Sequence, residues 1–339
     1  MERTETTGRD VVRLFVGDHS HLAPLASGDI VAQGVALELV RDVPEKKQDR
    51  SGRADGLEAR ELSLARHVVR LGKGDRRWIA IPIFPLREFP HRFFFVRRGS
   101  GIRELRDLRG ARIGVVDWLA TGTVWGRVAL EDAGLATSDL RWFAGSGDAG
   151  SHSHAAPSSE GTPAFVQRVA AERSLSEMLA AGDLDAIVGA TPRTFHEPES
   201  PIVRLFPDYR TAERAFFQRT RLYPAARVVC IQAALVQRHP GLPAILFDAL
   251  DRSRLAWQQR VTVFHGGTPW LQAELEETRQ LMGADWQPNG VDANRPMIDA
   301  LAQKLHGDGL IPRSMSADDV FSEFIAANDA RPVTAGTSR

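Results

Sequence analysis

Short apolar runs alternate with amphipathic stretches along the first two thirds of the chain. Runs rich in β-branched and aromatic residues predict buried strands. They cover residues 11–16, 35–40, 78–85, 93–96, 111–116, 140–144 and 184–188. Because Pro82 and Pro85 interrupt the run 78–85, it cannot form a central strand over its full length, and we expect a strand that ends in a rigid loop.

Apolar residues at helical spacing occupy most of the remaining positions. They predict helices over 58–71, 101–110, 121–133, 174–181, 211–220, 242–261, 269–282, 296–306 and 316–327. Ser174 and Glu177 have the spacing of a capping box, which is typical of a helix start. Alternating strands and helices predict an α/β protein.

The middle third of the chain, 94–205, has the pattern of a βαβαβ unit of its own. The segment 202–206 is expected to return the chain to the first part. We therefore predict two lobes, one built discontinuously from 1–93 and 206–339 and the other from 94–205. Ligands in open α/β sheets bind outside the carboxyl ends of strands, so a cleft between the lobes is the expected binding site.

Composition narrows the class of protein. Hydrophobic residues make up 43% and charged residues 25% of the 339 residues, as in globular proteins. The 43 basic and 43 acidic residues balance, which argues against nucleic acid as a partner. No apolar run approaches the roughly 18 residues of a membrane span. The N-terminal sequence lacks the pattern of a secretory signal, so a cytoplasmic location is expected. Cys230 lies in an apolar run that is typical of a buried thiol.

A dense polar group follows the first predicted strand. It contains Asp18, His19 and His21, and in an extended segment the two histidines would share one face. Imidazoles at this spacing suit contact with a substrate or with a metal ion, and a hydrogen-bonded structural loop is the third interpretation.

Two further polar groups come after predicted strands. Arg87, His91 and Arg92 lie in the proline-rich loop, where guanidinium groups suit the binding of a carboxylate. The alternative is that Arg87 pairs with Glu88 or another structural acid. Asp117 precedes Thr121 and Thr123 at a strand-to-helix transition, which suits an anion site or plain helix capping.

Several sequence segments together resemble one family. They are GDHSHLAPL at 17–25, ELSL at 61–64, AIPIFPLREFPHRFFFV at 80–96, DLRGARIGVVDWLATGTVW at 107–125, LFPDYRTAE at 205–213 and WLQAELEETRQLMGADWQPNGVDANR at 270–295. Their order resembles that of 4,5-dihydroxyphthalate decarboxylases, over about residues 11 to 325. The resemblance implies a two-lobed type 2 periplasmic-binding-protein-like fold, with a mixed sheet flanked by helices in each lobe and the ligand cleft between them. The chain differs from the family pattern at 17–20, 89–96, 117–119 and 227.

The resemblance also implies an activity. It predicts a lyase that decarboxylates a hydroxylated aromatic or related cyclic carboxylic acid without an organic cofactor, with a divalent metal held by the histidine group as an alternative. The rival interpretations are a non-catalytic cytoplasmic ligand-binding protein and a dehydratase-type lyase. A homo-oligomer is compatible with the sequence, which does not determine the oligomeric state.

Decarboxylation needs a proton donor and an anion clamp. We expect His19 or His91 to donate the proton and Asp18 to orient an imidazole or accept from a ring hydroxyl. The residues expected to contact substrate are His21, Glu61, Ser63, Arg87, Arg92, Asp117, Trp118, Thr121, Thr123, Trp125 and Arg227.

Overall fold

The computed structural model describes residues 11–41, 59–148, 161–263 and 268–329. The N-terminal residues that were examined for a secretory signal lie outside these ranges. The strands are β1 Val11–Phe15, β2 Ala36–Val40, β3 Ala59–Ser63, β4 Trp78–Ile81, β5 Phe94–Arg97, β6 Arg112–Val115, β7 Arg141–Ala144, β8 Gln167–Arg168, β9 Ala186–Val188, β10 Ile202–Arg204 and β11 Arg227–Gln232.

Helices fill most of the remaining described chain. They are α1 Ala23–Ala26, α2 Leu64–Gly72, α3 Thr121–Asp132, α4 Leu175–Ala181, α5 Tyr209–Thr220, α6 Ala233–Arg238, α7 Leu242–Val261, α8 Leu271–Met282, α9 Arg295–Gly307, α10 Ala317–Val320 and α11 Ser322–Asp329. Within these ranges, none of the helices combines the length and the apolar character that crossing a membrane requires.

The strands form two mixed sheets. The first has the order β2-β1-β3-β11-β4, and the second has the order β10-β5-β9-β6-β7-β8. In the first sheet β1 pairs in parallel with β2 and β3, while β11 pairs antiparallel with β3 and β4. The chain passes from the first sheet to the second after β4 and returns after β10. This arrangement confirms the predicted two-lobed α/β class, while the domain boundaries given above stay predictions.

Two predicted elements need correction. The segment expected to be a helix over 58–71 is strand β3 followed by helix α2, because Ala59–Ser63 is hydrogen-bonded between β1 and β11. Ser63 ends the strand and caps the helix, since its hydroxyl accepts a hydrogen bond from the backbone N–H of Arg66. Strand β11 itself lies in a region expected to be mostly helical.

The two crossovers between the sheets run side by side. Residues Leu86 to Glu88 lie against Pro224 to Ala226, where the N–H of Glu88 bonds the carbonyl of Pro224 at 3.0 Å and the N–H of Ala226 bonds the carbonyl of Leu86 at 2.8 Å. The prolines before this segment end strand β4 at Ile81, so the strand runs into a loop as the sequence predicts, and β4 is the edge strand of the first sheet.

Candidate active site

His19 and Glu61 form the central pair of the candidate site. Nε2 of His19 lies 2.7 Å from Oε2 of Glu61, and the side chains are 13% and 18% exposed. His19 follows strand β1, and Glu61 lies in the neighbouring strand β3, so the pairing of the two strands brings them together. The pair is partly exposed, so a small molecule can approach it.

The surroundings of Glu61 keep its carboxyl group ionised. Burial raises the pKa of Glu61, but the hydrogen bond with His19, the charges of His19 and Arg227, and the backbone N–H of Gly17 together hold it below its usual range. An ionised carboxylate only accepts hydrogen bonds, so Nε2 of His19 is the donor in this pair. The tautomer and orientation of the His19 ring are thereby set.

Gly17 leaves room for the pair. A Cβ atom at this position would lie 3.0 Å from Nε2 and 3.2 Å from Cε1 of His19. Any side chain at residue 17 would therefore press on the ring that Glu61 holds.

His21 stacks on His19, with ring centroids 5.5 Å apart and planes 14° from parallel. Burial, followed by the charges of His19 and Arg254, lowers the pKa of His21 to about 4, so this ring is neutral at pH 7. Two residues of helix α7 contact His21. Trp257 packs edge-on against His21 at 6.3 Å, and the Ser253 hydroxyl donates to the His21 carbonyl at 2.8 Å.

The two sheets meet at a polar seam, which we define as Ser63, Arg66, Asp117 and Thr121. The hydroxyls of Ser63 and Thr121 lie 2.8 Å apart, and the N–H of Ala65 donates to Thr121 Oγ1 at 3.2 Å. An Arg66 guanidinium N–H donates to Oδ2 of Asp117. The predicted residues Ser63, Asp117 and Thr121 are thus brought together, each bonded across the seam.

Of the predicted anion-binding arginines, Arg227 is the one next to Glu61. It lies opposite Ser63 in the β3–β11 register, and its charge acts on the Glu61 carboxyl. Arg87 serves another purpose. Its terminal nitrogens donate to the carbonyls of Tyr223 and Pro288 at 2.9 and 2.8 Å and to Oδ1 of Asn294 at 2.6 Å, so they brace the crossover rather than present a fork to a ligand.

His91 and Arg92 lie in the segment that connects the first sheet to the second, where both contact residues outside the candidate site. His91 is 4% exposed and packs between Phe206 and Phe216, and burial lowers its pKa to about 4. Arg92 donates to Glu88, the acid that the sequence offered as a partner for Arg87. Neither residue is among those brought to the His19–Glu61 pair.

Four other predicted residues lie apart from the pair. Trp118 and Trp125 are each 1% exposed in the core, where Trp118 covers the Arg127 guanidinium and the Trp125 indole N–H donates to the carbonyl of Ala225. Their rings are enclosed, so the structure does not place them to flank a substrate ring. Thr123 is also 1% exposed, and the side chain of Asp18 is 82% exposed beside Arg41 at 3.3 Å.

Comparison with known proteins decides the family. The chain is 30% identical over 315 residues to the 4,5-dihydroxyphthalate decarboxylase of Comamonas testosteroni, and the alignment covers 91% of this chain and 95% of that protein. The chain belongs to the 4,5-dihydroxyphthalate decarboxylase family. A 4,5-dihydroxyphthalate decarboxylase of Pseudomonas putida is 31% identical over 207 residues, which cover 60% of this chain and 80% of that protein. No family model matches the sequence.

Solved structures confirm the fold of this member of the family. The periplasmic aliphatic sulphonate binding protein SsuA from Escherichia coli superposes with a TM-score of 0.50 at 11% identity, covering 93% of this chain and 100% of that chain. A mutant of the desulfurization enzyme DSZB in complex with biphenyl-2-sulfinic acid superposes with a TM-score of 0.52 at 20% identity, covering 96% and 100%. These structures confirm the predicted periplasmic-binding-protein-like fold, and the decarboxylase relatives confirm membership of a carboxy-lyase family.

The structure adds three residues to the candidate site that the sequence did not predict. They are Arg66, Ser253 and Trp257. Arg66 lies two residues after the ELSL segment, which indicated that this region contributes to the site but did not single out the arginine. Ser253 and Trp257 are more than 200 residues from the histidines, and an ordinary amphipathic helix pattern carries no mark of that contact.

A metal ion is the remaining alternative for the histidine group. Within the part of the chain that the structure describes, no group of three or more His, Cys, Asp or Glu side chains is arranged to hold one. Asp18, the expected third ligand, turns to solvent beside Arg41.

Proposed function

We propose that this chain decarboxylates a hydroxylated aromatic or related cyclic carboxylic acid, bound where the two sheets meet. The observation that carries the proposal is the His19–Glu61 pair beside Arg227, in a chain of the 4,5-dihydroxyphthalate decarboxylase family. An oriented imidazole next to a cationic group is the minimum set for protonating a ring carbon while holding a carboxylate.

The relatives suggest the first substrate to test. In 4,5-dihydroxyphthalate each carboxylate has a ring hydroxyl para to it, which supplies electrons to the carbon that must be protonated. The proton adds to that carbon, the bond to the carboxylate breaks, and its electron pair restores the aromatic ring as CO2 leaves. The reaction needs no oxidant or reductant, which agrees with the proposal that no organic cofactor takes part.

The residues have distinct roles in this mechanism. Glu61 holds His19 by its Nε2–H, so the other ring nitrogen, Nδ1, is the position from which an imidazolium delivers its second proton. Arg227 holds the carboxylate that remains, and the hydroxyls of Ser63 and Thr121 bind oxygen atoms of the substrate. His21 packs against His19 and keeps its ring plane fixed.

Mass spectrometry of reactions with 4,5-dihydroxyphthalate and simpler hydroxybenzoates tests the proposal. A product lighter by CO2 is expected, with kcat reduced about 100-fold or more in His19→Phe and Glu61→Gln. His196→Gln, on an exposed turn of the second lobe, is the matched control and is expected to leave kcat unchanged. Activity that persists after exhaustive chelation would remove the metal alternative.

Two outcomes would contradict the proposal. Binding of an aromatic acid without any product would favour the ligand-binding protein. Loss of water with an unchanged number of carbon atoms would favour a dehydratase-type lyase.

A further inference from the structure

An ion pair crosses the polar seam near the candidate site. Arg66 lies in the first turn of α2, which follows β3 of the first sheet, and Asp117 follows β6 of the second sheet. Their side chains are only 11% and 17% exposed. Asp117 also makes a local hydrogen bond, because its Oδ1 accepts the N–H of Leu119 at 2.9 Å.

The pair lies close to the groups that the proposed function uses. Arg66 is three residues beyond Ser63, and its backbone N–H donates to the Ser63 hydroxyl at 3.4 Å. Glu61 precedes Ser63 by two residues, so their side chains leave the same face of strand β3. Arg227 lies opposite Ser63 in the sheet. Two arginines, Arg66 and Arg227, are therefore neighbours of strand β3, which carries Glu61 of the His19–Glu61 pair.

We propose that Arg66 is the specificity-determining residue for a second carboxylate of the substrate, and that this carboxylate replaces Asp117 on its guanidinium. The inference rests on the proposed function and adds to it the residue that recognises the second carboxylate of a substrate such as 4,5-dihydroxyphthalate. Arg227 then holds one carboxylate and Arg66 the other. A substrate carboxylate and the Asp117 carboxylate make the same charge-assisted hydrogen bonds, so the exchange leaves Arg66 paired throughout. The displaced Asp117 carboxylate keeps its hydrogen bond from the N–H of Leu119.

The exchange has a consequence that a purely structural ion pair lacks. When Asp117 is changed to Asn, the substrate no longer displaces a charged competitor, so a dicarboxylate binds more tightly. If the pair only joined the sheets, the same substitution would loosen the site and binding would weaken or stay unchanged. The sign of the Asp117→Asn effect therefore distinguishes the two roles.

Calorimetric titration with phthalate tests this sign, because phthalate has both carboxylates but lacks the ring hydroxyls. In Asp117→Asn the Kd for phthalate is expected to fall about 5- to 10-fold, and in Arg66→Gln to rise about 10-fold or more. Arg66→Lys, which keeps the charge but not the fork, is expected to fall between wild type and Arg66→Gln. Benzoate, with one carboxylate, is expected to lose less affinity than phthalate in Arg66→Gln.

Asp248→Asn is the matched control. It removes one carboxylate from the exposed Arg252–Asp248 pair on α7 and is expected to leave the Kd unchanged. Thermal unfolding of each variant shows whether it folds, and if Arg66→Gln does not, Arg66→Lys and Asp117→Asn decide the question.

The inference is overturned if Asp117→Asn weakens or does not alter phthalate binding. It is overturned equally if Arg66→Lys binds phthalate as wild type does. A wild-type protein that binds neither phthalate nor 4,5-dihydroxyphthalate would instead count against the proposed function itself. If the protein turns over 4,5-dihydroxyphthalate but the Kd for phthalate does not change in the Arg66 and Asp117 variants, the proposed function stands and only this inference is removed.

Discussion

At the scale of single residues, the candidate site depends on the absence of a side chain at Gly17. A Cβ there would lie 3.0 Å from Nε2 and 3.2 Å from Cε1 of His19, so the ring would have to shift by a few tenths of an ångström. Gly17→Ala is therefore expected to lower kcat about 10-fold or more by displacing the proton donor. Steady-state kinetics measures this, with Gly241→Ala as control because a Cβ there meets nothing within 4 Å. Equal kcat values in both variants and wild type would contradict the assigned role of His19.

At the scale of elements, helix α7 holds the histidine loop through Ser253. The Ser253 hydroxyl is buried, donates to the His21 carbonyl at 2.8 Å and accepts the N–H of Leu25 at 3.1 Å. Ser253→Ala leaves both backbone groups without these partners, so the free energy of unfolding is expected to fall by about 1–3 kcal/mol. Denaturant unfolding measures the change.

Thr262→Ala is the control for this prediction. Thr262 follows the last residue of α7, where its hydroxyl donates to the exposed carbonyl of Gln259. Its effect on the free energy of unfolding is expected to stay within about 0.5 kcal/mol. If Ser253→Ala is no more harmful than Thr262→Ala, α7 does not brace the loop in this way.

At the scale of the whole molecule, a buried charge network joins helix α9 to helix α3. Arg127, Lys304 and Asp308 are 1–3% exposed in their side chains, and Asp308 accepts from Arg127 at 2.8 Å and lies 2.9 Å from Lys304. Asp308→Asn is expected to lower the free energy of unfolding by about 3–5 kcal/mol, because two buried cations lose their shared carboxylate.

The matched control is Asp292→Asn. Asp292 is 94% exposed beside Arg295, and such surface pairs contribute at most about 1 kcal/mol. Urea unfolding of both variants measures the difference. Comparable stabilities of the two variants would show that the buried network contributes little.

Acid stability is a second property of the whole molecule. Burial lowers the pKa of His21, His67 and His91 to about 4, so these rings are neutral in the folded protein and gain protons on unfolding below pH 6.5. Their contribution is complete above pH 6.5 and is lost as the pH falls toward 4. Glu213 acts in the opposite sense, because burial raises its pKa to about 7, so it is protonated in the folded state and releases its proton on unfolding above pH 4.5.

The balance is an uptake of about two protons on unfolding, so the free energy of unfolding is expected to fall by roughly 3 kcal/mol per pH unit between pH 6 and 5. Denaturant unfolding at several pH values measures the slope. His91→Phe removes one of the three groups and is expected to reduce the slope, whereas the exposed His196→Gln is not. A stability independent of pH in this range would contradict the neutral state of these histidines.

Local sequence patterns were enough to predict the helices whose start and end signals lie in their own sequence. The helix expected at 121–133 is α3 Thr121–Asp132, and the one expected at 174–181 is α4 Leu175–Ala181, capped by Ser174. The segment 58–71 misled because Glu61 and Leu62 fit a helical spacing. Their strand conformation comes from pairing with β11, whose residues are more than 160 positions away in sequence.

The amino-acid sequence by itself determined the α/β class, the family and the presence of His19, Glu61, Ser63 and Arg227, since periodicity, composition and ordered motifs are properties of the chain. Only the tertiary structure decided which of these groups meet. It paired His19 with Glu61, turned Arg87 to the crossover and brought Arg66 to Asp117. The physical reason is that hydrogen bonds and ion pairs depend on distances of a few ångströms, and the order of strands in a sheet sets those distances between residues far apart in sequence.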